Sequence, residues 1–313
     1  MTKNKKTPLV IVLSIFLLIG GSYIIARLNT KVIDNEDRSS ALNSEFVQLS
    51  QGITQYQSAG SNNGKTILFV SGFSVSYDCW DPVFYTLISE GYRVIRYNHY
   101  GRGLSESVSV EYTQELFVNQ LSELISVLNL TKPLYFLGLS MGGLISAQFT
   151  IEHKDLVSKL VLISPSGFPI KESFASKLTK IPLLGDYILQ VFGNNILAAR
   201  NSSNLYAAEK YPEFQEQFEL QLESRGFKKA LLSTLRNFPF TNSPEVYSRL
   251  GNTNVPVLLF WGEFDQVIPF EQAELVSSAI PQAKFIKIEG AGHNSQYETP
   301  EKMLPELLKF LNK

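Results

Sequence analysis

Five residues, Gly138-Leu139-Ser140-Met141-Gly142, constrain this chain more than any other stretch, and Gly143 follows them. An apolar strand-like run, Leu134–Leu137, leads in, and an apolar helix-like run, Gly142–Ile151, leads out. A strand that reverses into a helix over so few residues bends sharply, so the positions two before and two after the serine must be small. Such a turn presents the Ser140 hydroxyl at the C-terminal edge of a sheet, above a helix N-terminus that favours negative charge. G-x-S-x-G in this setting marks Ser140 as a candidate nucleophile, with Gly138 and Gly142 supporting its turn.

The surrounding pattern repeats strand and helix. Phe46–Ser50 and Ile53–Gln57 flank Gln51-Gly52 as a hairpin. Thr66–Val70, Arg93–Tyr97 and Lys159–Ile163 are short apolar runs of the kind that form strands buried on both faces. Helical spacing covers Trp80–Ser89 and Thr113–Leu128, the latter with Leu116, Phe117, Leu121, Leu124, Ile125 and Leu128 on one stripe. Val257–Trp261, a helix near Glu271–Ala279, Lys284–Ile288 and a final helix over Pro300–Leu311 complete the alternation. The order implies an α/β fold: a mostly parallel sheet with helices on both faces.

Between Lys171 and Ser243 the alternation stops. This stretch reads as short helices over Phe174–Leu178, Leu183–Val191, Ile196–Leu205, Phe214–Ser224 and Lys229–Phe238. Pro182, Gly193, Pro212, Gly226 and Pro239 punctuate them. The expectation is a helical cap over 169–243, inserted into a core of 44–168 and 244–313.

A serine hydroxyl is a weak nucleophile and needs a base. Three histidines are available. His293, in Gly290-Ala291-Gly292-His293-Asn294, follows the last strand and so falls on the same sheet edge as Ser140. His99 precedes the nucleophile, and His153 sits in the charged Glu152-His153-Lys154 at a helix end. The base in turn needs a carboxylate to hold its tautomer. Asp265 lies just past strand Val257–Trp261, with Glu263 two residues away as the alternative. The order Ser140, Asp265, His293 is that of hydrolases rather than of either serine-protease order. A further turn, Val70-Ser71-Gly72-Phe73, ends strand Thr66–Val70. The amides of Met141 and Phe73 are the expected oxyanion donors, with Ser71 and Gly72 supporting the loop.

The N-terminus is of another kind. Thr7 to Ala26 is an uncharged, largely aliphatic stretch of about 20 residues, long enough for roughly 30 Å of hydrocarbon. It is expected to be one transmembrane anchor over 7–26, after a cytoplasmic tail of 1–6 and before a polar tether over 27–43. Lys3, Lys5 and Lys6 are more concentrated than Arg27, Lys31 and Arg38, which places the N-terminus in the cytoplasm and the catalytic domain outside it. The competing reading is a cleaved signal peptide and a secreted enzyme. The remaining composition excludes several classes. Twenty-eight basic against 29 acidic residues leave a net charge of −1, unlike a nucleic-acid binder. The single cysteine, Cys79, rules out an internal disulfide framework and a cysteine-rich zinc site.

Together these residues resemble the α/β-hydrolase superfamily over roughly Phe46 to Leu311. The resemblance is carried by Phe69-Val70-Ser71-Gly72-Phe73 with Trp80, by Arg96-Tyr97-Asn98-His99-Tyr100-Gly101-Arg102-Gly103-Leu104-Ser105 and by Gly138–Gly143. Phe260-Trp261-Gly262-Glu263-Phe264-Asp265 and Gly290-Ala291-Gly292-His293 complete it. The resemblance implies a helical cap that covers the active site and shapes an apolar pocket. It also departs in two places: Ser71 stands where the family often has histidine, and Asn98 where it often has aspartate. These departures bear on loop packing more than on catalysis.

The resemblance is nearest the monoacylglycerol lipases and carboxylesterases. It implies a membrane-anchored serine hydrolase of carboxylic esters, acting through an acyl-enzyme on a small-molecule or lipid-like ester. No cofactor or metal is implied. Hydrolysis of C–C bonds, lactones or peptides by the same triad is the alternative, and a non-catalytic binding protein on the same fold is another. Oligomeric state is not legible.

Overall fold

The computed structural model describes residues 6–131, 133–171 and 174–313. Helices α1 (Lys6–Leu28) and α2 (Asn35–Ser40) precede β1 (Glu45–Gln48), β2 (Ile53–Gly60) and β3 (Thr66–Val70). Then come α3 (Asp81–Ser89), β4 (Arg93–Tyr97), α4 (Gln114–Val127), β5 (Leu134–Leu139), α5 (Met141–Glu152) and β6 (Val157–Ile163). Next are α6 (Phe174–Lys180), α7 (Leu184–Asn201), α8 (Pro212–Leu222), α9 (Phe227–Asn237) and α10 (Pro244–Gly251). The chain returns through β7 (Val257–Gly262), α11 (Gln272–Ala279), β8 (Ala283–Ile288), α12 (Ser295–Glu298) and α13 (Pro300–Asn312).

The strands form one eight-stranded sheet in the order β1-β2-β4-β3-β5-β6-β7-β8. Only β1 with β2 and β2 with β4 run antiparallel, which is the expected hairpin and its attachment. The remaining pairs are parallel. Both faces are covered, as the continuous apolar runs require. Leu68, Val70, Leu134 and Phe136 point into one core, with α4 and α5. Ile67, Phe69, Tyr135, Leu137 and Leu139 point into the other, with α3 and α13. The period of two along each strand thus feeds two cores instead of a core and a solvent face. α5 is buried nearly all round, which is why it lacks a polar stripe in the sequence.

The helical interruption is present, with two differences. Leu183–Val191 and Ile196–Leu205 are not two helices; α7 runs unbroken from Leu184 to Asn201. Gly193 does not break it, because its bare Cα faces the Lys228 side chain, 2.9 Å from where a Cβ would stand. A close crossing of α7 and α9, and not a helix end, accounts for that glycine. α10 is the second difference, a helix that packs Val246, Tyr247 and Leu250 into the main core. The cap has a small core of its own, including Leu189, Leu197, Phe218, Leu222, Phe227, Leu231 and Leu232.

Among the described residues no helix is long and apolar enough to cross a membrane. The transmembrane anchor expected over 7–26 is therefore not supported as a span. Those residues form most of α1, which exposes Leu13, Phe16, Leu17, Leu18, Ile24 and Ile25. Lys3 and Lys5 of the expected cytoplasmic tail lie outside the described residues. The stretch read as a polar tether is partly ordered: Asp34 caps α2 in a capping box closed by Asp37. Lys31 pairs its backbone with Glu223 and Arg225 of the cap, donating at 2.8 Å and accepting at 2.8 Å. Arg38 donates to the Leu104 carbonyl of the core.

Candidate active site

Parallel pairing sets the site. Leu139 of β5 lies beside Ile163 of β6, Ile163 beside Phe260 of β7, and Gly262 of β7 beside Ile288 of β8. The segments that follow β5, β7 and β8 therefore leave the same sheet edge. Ser140, Asp265 and His293 lie on those three segments, and all three are buried.

Ser140 has φ 53° and ψ −116°, a left-handed backbone that a serine adopts only under constraint. The constraint is visible on both sides. The Ser140 amide donates to the Ile163 carbonyl at 2.9 Å, and its carbonyl accepts from Gly143 and Ser166. The turn closes because two neighbours lack side chains. A Cβ on Gly142 would lie 2.1 Å from the Val70 carbonyl oxygen, and one on Gly138 would lie 2.6 Å from that of Gly142. The small residues expected on either side of the serine are thus a steric requirement of the strand–turn–helix junction.

His293 is 3% exposed, and its Nδ1 lies 2.7 Å from Asp265 Oδ2. Asp265 Oδ1 accepts from the amides of Val267 and Ile268 at 2.9 and 2.8 Å. A carboxylate can only accept, so the proton of this pair sits on Nδ1 and Nε2 is left as an acceptor. Among the described residues no direct hydrogen bond joins the Ser140 hydroxyl to the imidazole. In free enzymes this contact is often long and tightens with substrate. Glu263, the rival orienter, is turned away: it accepts from Lys287 at 3.0 Å, and that contact holds its carboxyl below the usual range.

The loop after β3 packs against Ser140. A Cβ on Gly72 would stand 3.6 Å from the Ser140 Cβ. Among the described residues neither the Phe73 nor the Met141 amide donates to a backbone carbonyl. The Phe73 carbonyl accepts from Arg102 Nε at 3.0 Å. Arg102 is fully buried and donates further to the Tyr100 carbonyl and to Thr234 of α9. Burial pushes its guanidinium down to about 10.

The two departures from the family pattern have structural answers. The Ser71 hydroxyl accepts from Trp80 Nε1 at 3.2 Å, and its carbonyl faces His99 Nε2 at 3.0 Å. His99 is therefore a loop support. Burial, helped by the nearby Arg102 charge, lowers it to about 3. Asn98 is buried; its carbonyl oxygen accepts from the Tyr77 amide at 2.7 Å, and its Nδ2 donates to Gln55 Oε1 at 2.7 Å. His153 caps the end of α5 against the Phe149 ring, away from the three segments.

Sequence reasoning missed two groups. Arg102 was visible only as part of a motif, and Glu298 was not singled out at all. Glu298 is buried on α12 and accepts from the amides of Gly292, Tyr206 and Ala207. Among the described residues no group of histidine, cysteine and carboxylate side chains could hold a metal ion.

Comparison with known proteins places the chain in a family. Residues 65–300 match the sequence profile of the α/β hydrolase fold family. The chain belongs to the α/β-hydrolase family. Lipase 1 of Psychrobacter immobilis is 26% identical over 272 residues, covering 84% of this chain and 82% of that protein. Two solved hydrolase structures share the fold. A thermophilic esterase from Thermogutta terrifontis superposes with a TM-score of 0.72 at 24% identity, over 86% of this chain and 98% of its own. The enol-lactonase from Burkholderia xenovorans gives 0.74 at 20%, over 86% and 100%. In this α/β hydrolase Ser140, Asp265 and His293 lie on loops at one sheet edge, and helices are inserted after β6.

Proposed function

We propose that this α/β hydrolase is a serine hydrolase that cleaves carboxylic esters through an acyl-enzyme. The observation that carries the reading is the buried His293–Asp265 pair at 2.7 Å, on the sheet edge that also presents Ser140 in a constrained turn. Ser140 Oγ attacks the acyl carbon while His293 Nε2 takes its proton. Asp265 holds the ring and stabilises the imidazolium that forms. The Phe73 and Met141 amides receive the oxyanion; one such donor is worth about 3 kcal/mol of transition-state stabilisation. His293 then returns the proton to the leaving alcohol. Water, deprotonated by the same ring, releases the acyl group. The similarity to a lipase supports an ester as substrate.

A lipid-like ester fits the chain better than a polar one. Phe73, beside the nucleophile, packs against both the main core and the cap core, so apolar surface surrounds the turn. The cap also exposes Phe174, Leu183 and Phe192, and α1 lies against α7 with Ser22 and Tyr187 hydrogen-bonded at 3.0 Å. These exposed side chains support attachment to a membrane through α1 with the cap close to the lipid.

The test is a chain-length series of p-nitrophenyl esters and monoacylglycerols, run on the full chain beside Ser140→Ala. Turnover that rises with acyl length and disappears in the variant is the expected result. A folded wild type with no turnover on any ester overturns the reading. Carbonate extraction of membranes checks the attachment: the full chain should stay with the lipid, and a chain beginning at Ser40 should not.

A further inference from the structure

His293 is flanked by two backbone contacts, one to Glu298 of α12 and one to the cap. On one side, Gly292 donates its amide to Glu298 Oε2 at 2.7 Å. On the other, the Asn294 amide donates to the Asn204 carbonyl at 2.9 Å. The same Glu298 oxygen accepts from the Tyr206 amide at 3.0 Å, and Oε1 accepts from Ala207 at 2.7 Å. Tyr211 adds a hydrogen bond from its hydroxyl to the Glu298 carbonyl at 2.6 Å. One carboxylate therefore gathers three backbone donors, two from the cap and one from the loop that carries the base. The approach leaves no room for a side chain: a Cβ on Gly292 would lie 2.6 Å from the Tyr206 nitrogen.

The acid turn joins the same junction. The Phe264 amide donates to the Ala291 carbonyl at 2.9 Å, and the Phe264 ring stacks on Tyr206. Segment 204–207 thus touches the residues next to His293 and next to Asp265.

We propose that Glu298 is a positioning residue that fastens the His293 loop to cap segment 204–207, so that the base is in place only while the cap is seated. The inference rests on the assignment of His293 as the base. Chemically, a buried carboxylate is well suited to this task. Its two oxygens satisfy amide donors from separate segments at once, and charge-assisted bonds of this kind are roughly twice as strong as neutral ones. A cap that lifts breaks the bonds from Tyr206 and Ala207 to Glu298 and the bond from Asn294 to Asn204, which removes the cap's hold on Glu298 and on the residue after the base. Because a misplacement of about 1 Å can cost about 10²-fold in rate, the cap becomes a control on the base as well as a cover.

The experiment uses the full chain with Glu298→Ala, Glu298→Gln and, acting on the other partner, Gly292→Ala. Steady-state ester hydrolysis gives kcat and KM. The low-field proton resonance of the His293–Asp265 hydrogen bond reports the base directly, and it can be read whether or not the wild type turns over an ester. Glu298→Gln keeps one acceptor oxygen and should lose about 10-fold in kcat; Glu298→Ala should lose about 10²-fold, with KM within twofold. The His293 resonance should shift or broaden in the same order. Gly292→Ala, which leaves Glu298 intact, should reproduce the shift and decide the matter if Glu298→Ala does not fold. An unmoved resonance in folded Glu298→Gln and Gly292→Ala overturns the proposal. So does unchanged kcat in both, or a loss seen only in KM or in melting temperature. A wild type without ester turnover but with a resonance that responds as expected refutes the substrate reading and leaves this one standing.

Discussion

Arg102, fully buried, donates through Nε to the carbonyl of Phe73 at 3.0 Å, and through a second nitrogen to Thr234 of the cap at 2.9 Å. No carboxylate partners it among the described residues; its charge is shared among a carbonyl pair, a hydroxyl and the rings of Phe73, Tyr112 and Phe117. A lysine cannot reproduce the planar fork that reaches three acceptors. Arg102→Lys should cost about 2–4 kcal/mol in urea unfolding, since hydrogen bonds to a charged group are worth about 1.5–3 kcal/mol each. It should also lower kcat more than it raises KM, because the loop bearing the Phe73 amide loses its brace. A variant as stable and active as wild type would refute the brace.

Asp265 accepts from two amides on one oxygen and from His293 on the other. In Asp265→Asn the carbonyl oxygen stays with the amides and the new NH₂ faces Nδ1, which forces the proton to Nε2 where it blocks attack. Ester kcat should fall about 10⁴-fold. Glu263→Gln, which breaks the exposed pair with Lys287 and keeps an acceptor oxygen for the Gly290 amide, should stay within twofold. Equal losses in the two variants would mean the orienter has been misassigned.

His99 predicts an acid limit. Unfolded, its imidazole takes a proton near 6.5; folded, it stays neutral down to about 3. Between those values the unfolded chain binds more protons, so stability falls as pH drops through the window. The melting temperature should decline from pH 6.5 downward. His99→Phe, which keeps the ring packing on Tyr97 and Phe117, should be less stable at neutral pH and show a shallower decline. Parallel melting curves for the two proteins would exclude His99 as the source.

Gly142→Ala tests the turn itself. The added carbon would meet the carbonyl oxygens of Val70 and Ser71 at 2.1 and 2.4 Å, both backbone atoms that cannot swing aside. Overpacking of this sort costs about 3 kcal/mol, which equilibrium unfolding would detect. Activity should fall too, because Ser71 begins the oxyanion loop. Full stability would mean the junction is looser than its geometry.

What the sequence revealed depended on how local each signal is. The turn at Ser140, the two-faced strands and the loops of Asp265 and His293 all carry their cause within a few residues, and each stands where it was expected. The cap and most of its helices are legible from the loss of alternation, but the unbroken length of α7 is not. Gly193 looked like a stop because nothing nearby in sequence announces Lys228, its packing partner. Glu298 and the contacts of Lys31 with the cap and of Arg38 with the core are invisible for the same reason: their partners lie far away along the chain. The aliphatic run at 7–26 is a different case, since low polarity favours apolar surroundings without saying which.

The strand order carries one more consequence. β7 joins the sheet beside β6 only after the chain has left it to build the cap. The nucleophile and its oxyanion loop thus belong to one stretch of polypeptide, the acid and base to another. A single cut in the exposed cap would yield two fragments, each carrying half of the reaction's equipment, and activity would return only when the pair β6–β7 reforms between them.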